Sequence, residues 1–548
     1  MSVDTKDLKH IVFFGGAAWG HARSAIHCAI TLCMKSPNLA LSLLFPEAFM
    51  DRAKDTIDFM LTQETADADL AKDVHARLHL VVVIPPKDYV CPPELEASLM
   101  RPFQEASAAF VARWEQLHKD PQQLPRPSML IVDVCTEFDR KHIKGINDVP
   151  IMFWWSSCYN YFVYHFGPDG SGGLGPAFRK SLDTISDIKE LNQANEQIWG
   201  STSDELARTG DLRPIHQYEH ICSRLPAMPG SGDFTRAINT NVFKKVDGHL
   251  ICSGEWLEPE ARKIVQSYFD DTLKTPTYGV NLRVSARGDE ATFSSKQVET
   301  LSPPAKELLS FLDDALEKHG AQSVLYLSWG TTFAPFTAPW QADIFLDVMI
   351  ENKRPFVMSS ASVAPIMNPG LEERFEKARK AGICATAPWV PQEAVLQHKA
   401  VGAFITHGGW NSTCEAIGAA KPMIFWPFLV DQPFIASLLS DGPEAPGWQL
   451  YETRGAVSQY RPYHFSEGPR TSESGETIPV PTGTPEAVRA EFERILIREA
   501  ARDSPELKKR KERMVALRKR FIESTQPGGE THQAISDLLT PLGCTIRT

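Results

Sequence analysis

The sequence predicts an α/β protein built on buried parallel strands, and three observations predict it. Short apolar runs feed glycine turns that open helices: His10 to Phe14 leads through Gly15-Gly16 into a helix ending near Met34, and Ala403 to Thr406 leads through Gly408-Gly409 into another. Both runs are continuous, as in strands covered on two faces. A third run, Met129 to Val132, ends in Asp133, and the carboxyl ends of parallel strands face the crevice where such sheets bind ligands. With 548 residues, 43% of them hydrophobic, the chain has material for two or three domains.

Composition removes several classes of function. A formal charge of −11 argues against a nucleic-acid partner. Ten scattered cysteines, with no Cys-x-x-Cys pair, indicate neither a disulfide framework nor a zinc site. Met1 to Lys9 is polar and runs directly into a strand, so no signal peptide is read and a cytoplasmic protein is expected. The longest apolar stretch, Ile151 to Phe166, is interrupted by Ser156, Ser157, Asn160 and His165, so no transmembrane segment is expected.

Taken in order, the first turn is Gly15-Gly16-Ala17-Ala18-Trp19-Gly20-His21. As a dinucleotide fingerprint it is broken, with Ala17 at the middle glycine, which argues against a nicotinamide oxidoreductase. His21 opens the helix; by itself such a histidine is more often structural than catalytic. Asp133 closes the third run, and its competitor Asp139 lies past the strand end beside Arg140-Lys141. The aromatic stretch Ile151 to Phe166 suits either a core or a pocket wall. Val284 to Pro304, polar and ending Ser-Pro-Pro, is a candidate linker. Beyond it, the strand Ser323 to Ser328 runs into Gly330-Thr331-Thr332.

The densest stretch is Trp389 to Gln432. His407-Gly408-Gly409 is a tight turn feeding a helix, and such a turn collects free backbone N–H groups and the positive end of the helix dipole at one spot. His407, Asn411 and Ser412 flank that spot and can donate to phosphate. No Lys-Ser/Thr follows, so it is not a Walker loop. Ser412-x-x-Glu415 reads as a capping box opening a helix from Thr413 to Ala420, followed by a strand from Met423 to Phe428. Asp431 before Gln432-Pro433 reads as a helix cap or a ligand. Ala456 to Thr482, rich in Pro, Gly, Ser, Glu and Arg, is expected to be a mobile surface insertion. Pro485 to Ile497, Pro505 to Glu523 and a segment opened by Gly528-Gly529-Glu530 read as helices.

Trp389-Val390-Pro391-Gln392, His407-Gly408-Gly409-Trp410-Asn411-Ser412 and Asp431-Gln432, in this register, resemble the signature box of the family 1 UDP-dependent glycosyltransferases, the small-molecule transferases of plants and fungi. The resemblance implies the GT-B fold, with two Rossmann-like domains facing across a cleft. Residues 1–284 would be the acceptor domain, 285–304 a linker, 305–525 the UDP-sugar domain and 526–548 a helix returning to the first domain. It implies that Trp389 stacks on uracil, Val390 reads its edge through the backbone, and Gln392 and Glu415 bind ribose. Thr331 (Thr332 as alternate), His407, Gly409, Asn411 and Ser412 would hold the diphosphate. Trp410, Asp431 and Gln432 would hold the sugar, and Asp-Gln fits glucose. The family carries Gly-His after its first strand, so Gly20-His21 makes His21 the implied base and Asp133 its partner. Ala22-Arg23-Ser24 departs from the commoner plant pattern with proline, which leaves the acceptor open.

The implied activity is inverting transfer of glucose from UDP-glucose to a hydroxyl of a hydrophobic small molecule, by a monomer needing no metal and no cofactor beyond the donor. A sterol or other lipid glucosyltransferase and a non-catalytic UDP-sugar binder are the alternatives.

Overall fold

The computed structural model describes residues 7–547 except 66, 88, 91–100, 120–123, 139, 141–142, 144–148, 224–230, 282–300, 362 and 455–460. Asp139 and most of the expected linker therefore lie outside the described residues. The chain divides into two compact units. The first comprises Met1–Asp211, Ala227–Ala286 and Phe521–Thr548; the second comprises Leu212–Pro226 and Arg287–Arg520.

The first unit is built on a parallel sheet of seven strands: β1 (Lys9–Phe14), β2 (Leu39–Pro46), β3 (Leu78–Val83), β4 (Met129–Asp133), β5 (Ile151–Trp155), β6 (Gly248–Ile251) and β7 (Thr277–Gly279). Their order is β3-β2-β1-β4-β5-β6-β7. The switch from β2 to β4 on either side of β1 makes the carboxyl end of β1 a topological switch point, where α/β sheets hold ligands. The helix α1 (Trp19–Lys35) starts there. Every residue of β4 and β5 is buried, which is why these strands read as unbroken apolar runs.

The aromatic stretch that follows resolves to core. The helix α2 (Tyr159–Phe166) buries all of its residues, and Trp154 packs edge-on against Phe13 at 5.4 Å. Glu258, fully buried, accepts from the Tyr159 and Asn160 backbone N–H groups at 3.0 and 2.8 Å, satisfying the orphan donors at the start of that helix.

The second unit holds a six-stranded parallel sheet: β8 (Val324–Ser328), β9 (Phe356–Ser359), β10 (Cys384–Ala387), β11 (Val401–Thr406), β12 (Met423–Phe425) and β13 (Trp448–Gln449), in the order β10-β9-β8-β11-β12-β13. Helices α3 (Pro303–His319), α4 (Gln392–Gln397), α5 (Trp410–Gly418) and α6 (Gln432–Ser440) belong to this unit. Both sheets have the doubly wound pattern of Rossmann-like domains. The strand expected from Met423 to Phe428 pairs only through Phe425, and 426–428 continue as buried chain beneath the site. Pro303 and Pro304, expected in the linker, form the first turn of α3, where proline's missing N–H costs nothing.

The described part of the expected mobile surface insertion, residues 461–482, is mostly exposed, but it is anchored near its start and folds back on itself. Phe465 is fully buried and sits edge-on to Tyr451 at 5.0 Å, Tyr463 N–H donates to Glu219 at 2.9 Å, and Arg470–Thr471 pairs antiparallel with Thr477–Ile478. A polar composition masked one aromatic anchor.

Candidate functional site

In the first unit, β1 ends in Gly15-Gly16 and the chain turns into α1, which places His21 in the first turn of that helix. Asp133 is the last residue of the adjacent β4 and is fully buried. The two meet: His21 Nδ1 lies 2.8 Å from Asp133 Oδ2. Gly16 permits the approach, because it has φ +78 and a Cβ there would lie 2.6 Å from Asp133 Oδ1. That second oxygen accepts from Cys135 N–H at 3.0 Å, so the carboxylate is held at both ends. A carboxylate only accepts, so Nδ1 carries the proton and Nε2 presents its lone pair. The His21 side chain is 29% exposed, enough for a substrate to reach it.

Among the described residues, His21, Asp133 and Cys135 are the one group of potential metal ligands, with ligand atoms within 4.8 Å of one another. The imidazole–carboxylate hydrogen bond already accounts for that proximity. Burial and the Asp133 charge push the Cys135 thiol well above its ordinary range, away from the thiolate a metal needs.

In the second unit the phosphate-type turn is present, but it is built differently from the expected capping box. The helix α5 begins at Trp410, three residues early, with Gly409 as its cap residue and no side-chain capping bond. Ser412 and Glu415 are occupied elsewhere: Gln392 Nε2 donates to Ser412 Oγ at 3.0 Å and to Glu415 Oε2 at 2.6 Å. Tertiary partners thus win over the local motif.

His407 is packed tightly beneath this turn. A Cβ on Gly409 would lie 2.5 Å from His407 Nε2, and one on Gly330, which has φ +76, 2.9 Å from the same atom. Nε2 therefore sits between the two glycine turns that end β8 and β11. Burial pushes the imidazole down to about 4, with the Ser328 backbone opposing part of that shift, so the ring is neutral. Thr331 and Thr332 are both exposed beside Gly330, with their hydroxyls 3.5 Å apart. Trp329 and Trp426, both buried, meet edge-on at 5.1 Å and anchor the chain below.

Around this turn, Trp389 is 53% exposed, a large flat face left open at the surface of the unit, whereas Val390 is buried. Trp410 is buried and is the first residue of α5. Asn411 lies in the first turn of α5. Asp431 occupies the position before α6 but makes no side-chain capping bond. Gln432 is buried, and its Oε1 accepts from Phe428 N–H at 2.9 Å and Leu429 N–H at 3.4 Å, which fixes its amide with the NH₂ end outward from that turn. His398 is structural, bonding Ala400 N–H and lying 3.2 Å from Asp313.

Sequence reasoning missed the segment that holds the turn before Asp431. Ser223 N–H donates to Phe428 O at 2.8 Å and Val430 N–H to His220 O at 2.9 Å, so 220–223 clamps the turn before Asp431. Val430 is held there at φ 58, a left-handed conformation costly for a β-branched residue. It also missed Tyr326, whose signal was available: Tyr326 and Ser328 alternate as polar positions in an otherwise apolar strand.

The family model described as UDP-glucoronosyl and UDP-glucosyl transferase matches residues 374–441. The chain is 31% identical over 462 residues to the UDP-glycosyltransferase eriJ of Hericium erinaceus, covering 82% of this chain and 85% of that protein. It is 36% identical over 126 residues to anthocyanidin 3-O-glucosyltransferase 2 of Fragaria ananassa, a match spanning 23% of this chain and 26% of that protein. The fold is similar to that of Phytolacca americana UGT2 complexed with UDP-2fluoro-glucose and pterostilbene, with a TM-score of 0.62 at 17% identity, covering 98% of this chain and 100% of the other. Two parallel sheets with this likeness make the architecture GT-B. Among the described residues no helix is long and apolar enough to cross a membrane.

Proposed function

This chain belongs to the UDP-glycosyltransferase family, and on that premise we propose that it transfers glucose from UDP-glucose to a hydroxyl of a hydrophobic small molecule, giving a β-glucoside. The observation that carries the reading is the 2.8 Å bond from His21 Nδ1 to the buried Asp133. A hexosyltransferase needs a base for the acceptor hydroxyl, and a sugar-binding protein without turnover does not.

In this reading His21 Nε2 takes the proton of the acceptor hydroxyl as its oxygen attacks the anomeric carbon. Asp133 fixes the tautomer and stabilises the imidazolium. The C–O bond to the diphosphate breaks on the opposite face, so the configuration inverts. His407, Asn411, Ser412, Thr331 and the backbone at Gly409 receive the charge of the departing UDP. Trp389 stacks on uracil beside the Val390 backbone, and Gln392 with Glu415 serves the ribose. The sugar lies against Asp431, Gln432 and the Trp410 backbone. These roles call for no metal and no cofactor besides the donor. The Fragaria relative supports a glucose donor and a small aromatic acceptor.

The test is a mass-spectrometric screen of phenolic and lipid alcohols with UDP-glucose. A hexosylated phenol supports the reading. Products confined to sterols or other lipids move the acceptor class, and no product with any alcohol leaves only UDP-sugar binding.

A further inference from the structure

Beneath the nucleotide face, the polar side chains of three elements form one connected chain. Tyr326, on the central strand β8, is buried, with its ring stacked on Phe404 at 4.8 Å and 12°. Its hydroxyl lies 3.0 Å from Gln392 Oε1. Gln392, at the start of α4, passes the contact on through Nε2 to Ser412 Oγ at 3.0 Å and Glu415 Oε2 at 2.6 Å, both on α5. We propose that Tyr326 is a positioning residue for the donor nucleotide, holding Gln392 so that the amide in turn aims Glu415 at the ribose and Ser412 at the diphosphate.

The geometry permits only one sense of this relay. Reversing the Gln392 amide would bring its oxygen within 2.6 Å of a carboxylate oxygen, two acceptors with no proton between them. So Nε2 faces Glu415, Oε1 faces Tyr326, and the tyrosine must donate. Burial raises the phenol far above its ordinary range, which keeps that proton in place. With Nε2 spending its two hydrogens on Ser412 and Glu415, Gln392 acts on the nucleotide through those residues. The Ser412 oxygen accepts from Gln392, which leaves its own O–H to point at an anion. Buried networks of this kind rigidify what they connect.

This inference rests on the reading that the Trp389–Gln432 face binds a UDP-sugar, and the test separates the two. UDP, 2′-deoxy-UDP and 3′-deoxy-UDP are titrated calorimetrically into the wild-type protein and into Tyr326→Phe, which keeps the stacked ring. Wild type should prefer UDP to one or both deoxy forms by about 5- to 150-fold, the range for one lost buried hydrogen bond. In Tyr326→Phe the preference should collapse toward unity: all three ligands lose the share that Ser412 gives the diphosphate, and UDP alone also loses the ribose contact, so UDP is weakened most. Tyr326→Met, which also lacks the hydroxyl donor, should show the same collapse, and decides the matter if Tyr326→Phe does not fold. An unchanged preference, or equal weakening of all three ligands, overturns the relay and leaves Tyr326 a core residue. Failure of the wild-type protein to bind UDP at all overturns the underlying reading instead.

Discussion

His21 and Asp133 stand 112 residues apart in the chain and 2.8 Å apart in the fold, joined from the first turn of α1 to the carboxyl end of β4. That bond decides the tautomer of the imidazole and so which nitrogen can take a proton. Replacing His21 with Ala should lower turnover by about 10²–10⁴ with an ordinary alcohol acceptor while leaving UDP affinity nearly intact. An acceptor phenol already ionised should suffer less. Steady-state rates beside a UDP titration check this; near-normal turnover with an alcohol would remove His21 from the mechanism.

Gly409 and Gly330 leave the room that His407 occupies. Gly409→Ala should force the ring aside at a cost of about 1–3 kcal/mol in stability or UDP affinity. Gly330→Ala should cost more, because its φ of +76 adds strain to the collision. Thermal melts and UDP titrations of both variants are the measurement. Wild-type values for Gly409→Ala would mean that His407 is not confined as described.

Much of this site was legible because its signals are local. Strand, glycine turn and helix start follow one another in sequence, at Phe14 to His21 and again at Thr406 to Trp410, and side-chain type marks each. What was not legible depended on partners distant in sequence. Ser412 and Glu415 carry a capping-box pattern, but Gln392, 20 residues before Ser412, claims both side chains. The clamp of 220–223 on Val430 likewise depends on partners far apart in the chain, and the burial of Phe465 against Tyr451 on packing that the polar residues around it conceal. Composition alone made 456–482 look loose.

Donor choice is expected to reside in Asp431 and Gln432. A mismatched buried polar pair costs about 1–3 kcal/mol, which corresponds to a preference of roughly 5- to 150-fold for UDP-glucose over UDP-galactose. Asp431 should also disfavour UDP-glucuronate by charge. Gln432→His loses the acceptor that Phe428 and Leu429 share, so it should lower the melting temperature as well as shift the donor ratio. Asp431→Asn should shift the ratio without that loss. If both variants change stability alone, the sugar assignment fails.

Acid should destabilise the fold over a defined window. Burial pushes His10 and His407 down to about 4 and His249 to about 3 from an ordinary 6.5. Below pH 6.5 the unfolded chain takes up protons that these native histidines refuse, so their contribution to stability is full above 6.5 and falls toward pH 4, by roughly 3 kcal/mol per histidine, while Glu491, raised by burial to about 7, opposes that fall over the same window. His249 packs against Phe153, Phe162 and Phe269, so His249→Phe should flatten part of that slope. Melting temperatures from pH 7 to pH 4 test it; equal slopes in variant and wild type would show that His249 takes no part.

The most direct test of the central claim is the anomeric configuration of the product, read by proton NMR after incubation with UDP-glucose and a phenolic acceptor. The account predicts a β-glucoside, with the large coupling between H1 and H2 of a diaxial pair, formed together with UDP and absent with His21→Ala. An α-linked product, or a β-glucoside formed as fast by His21→Ala, would contradict it.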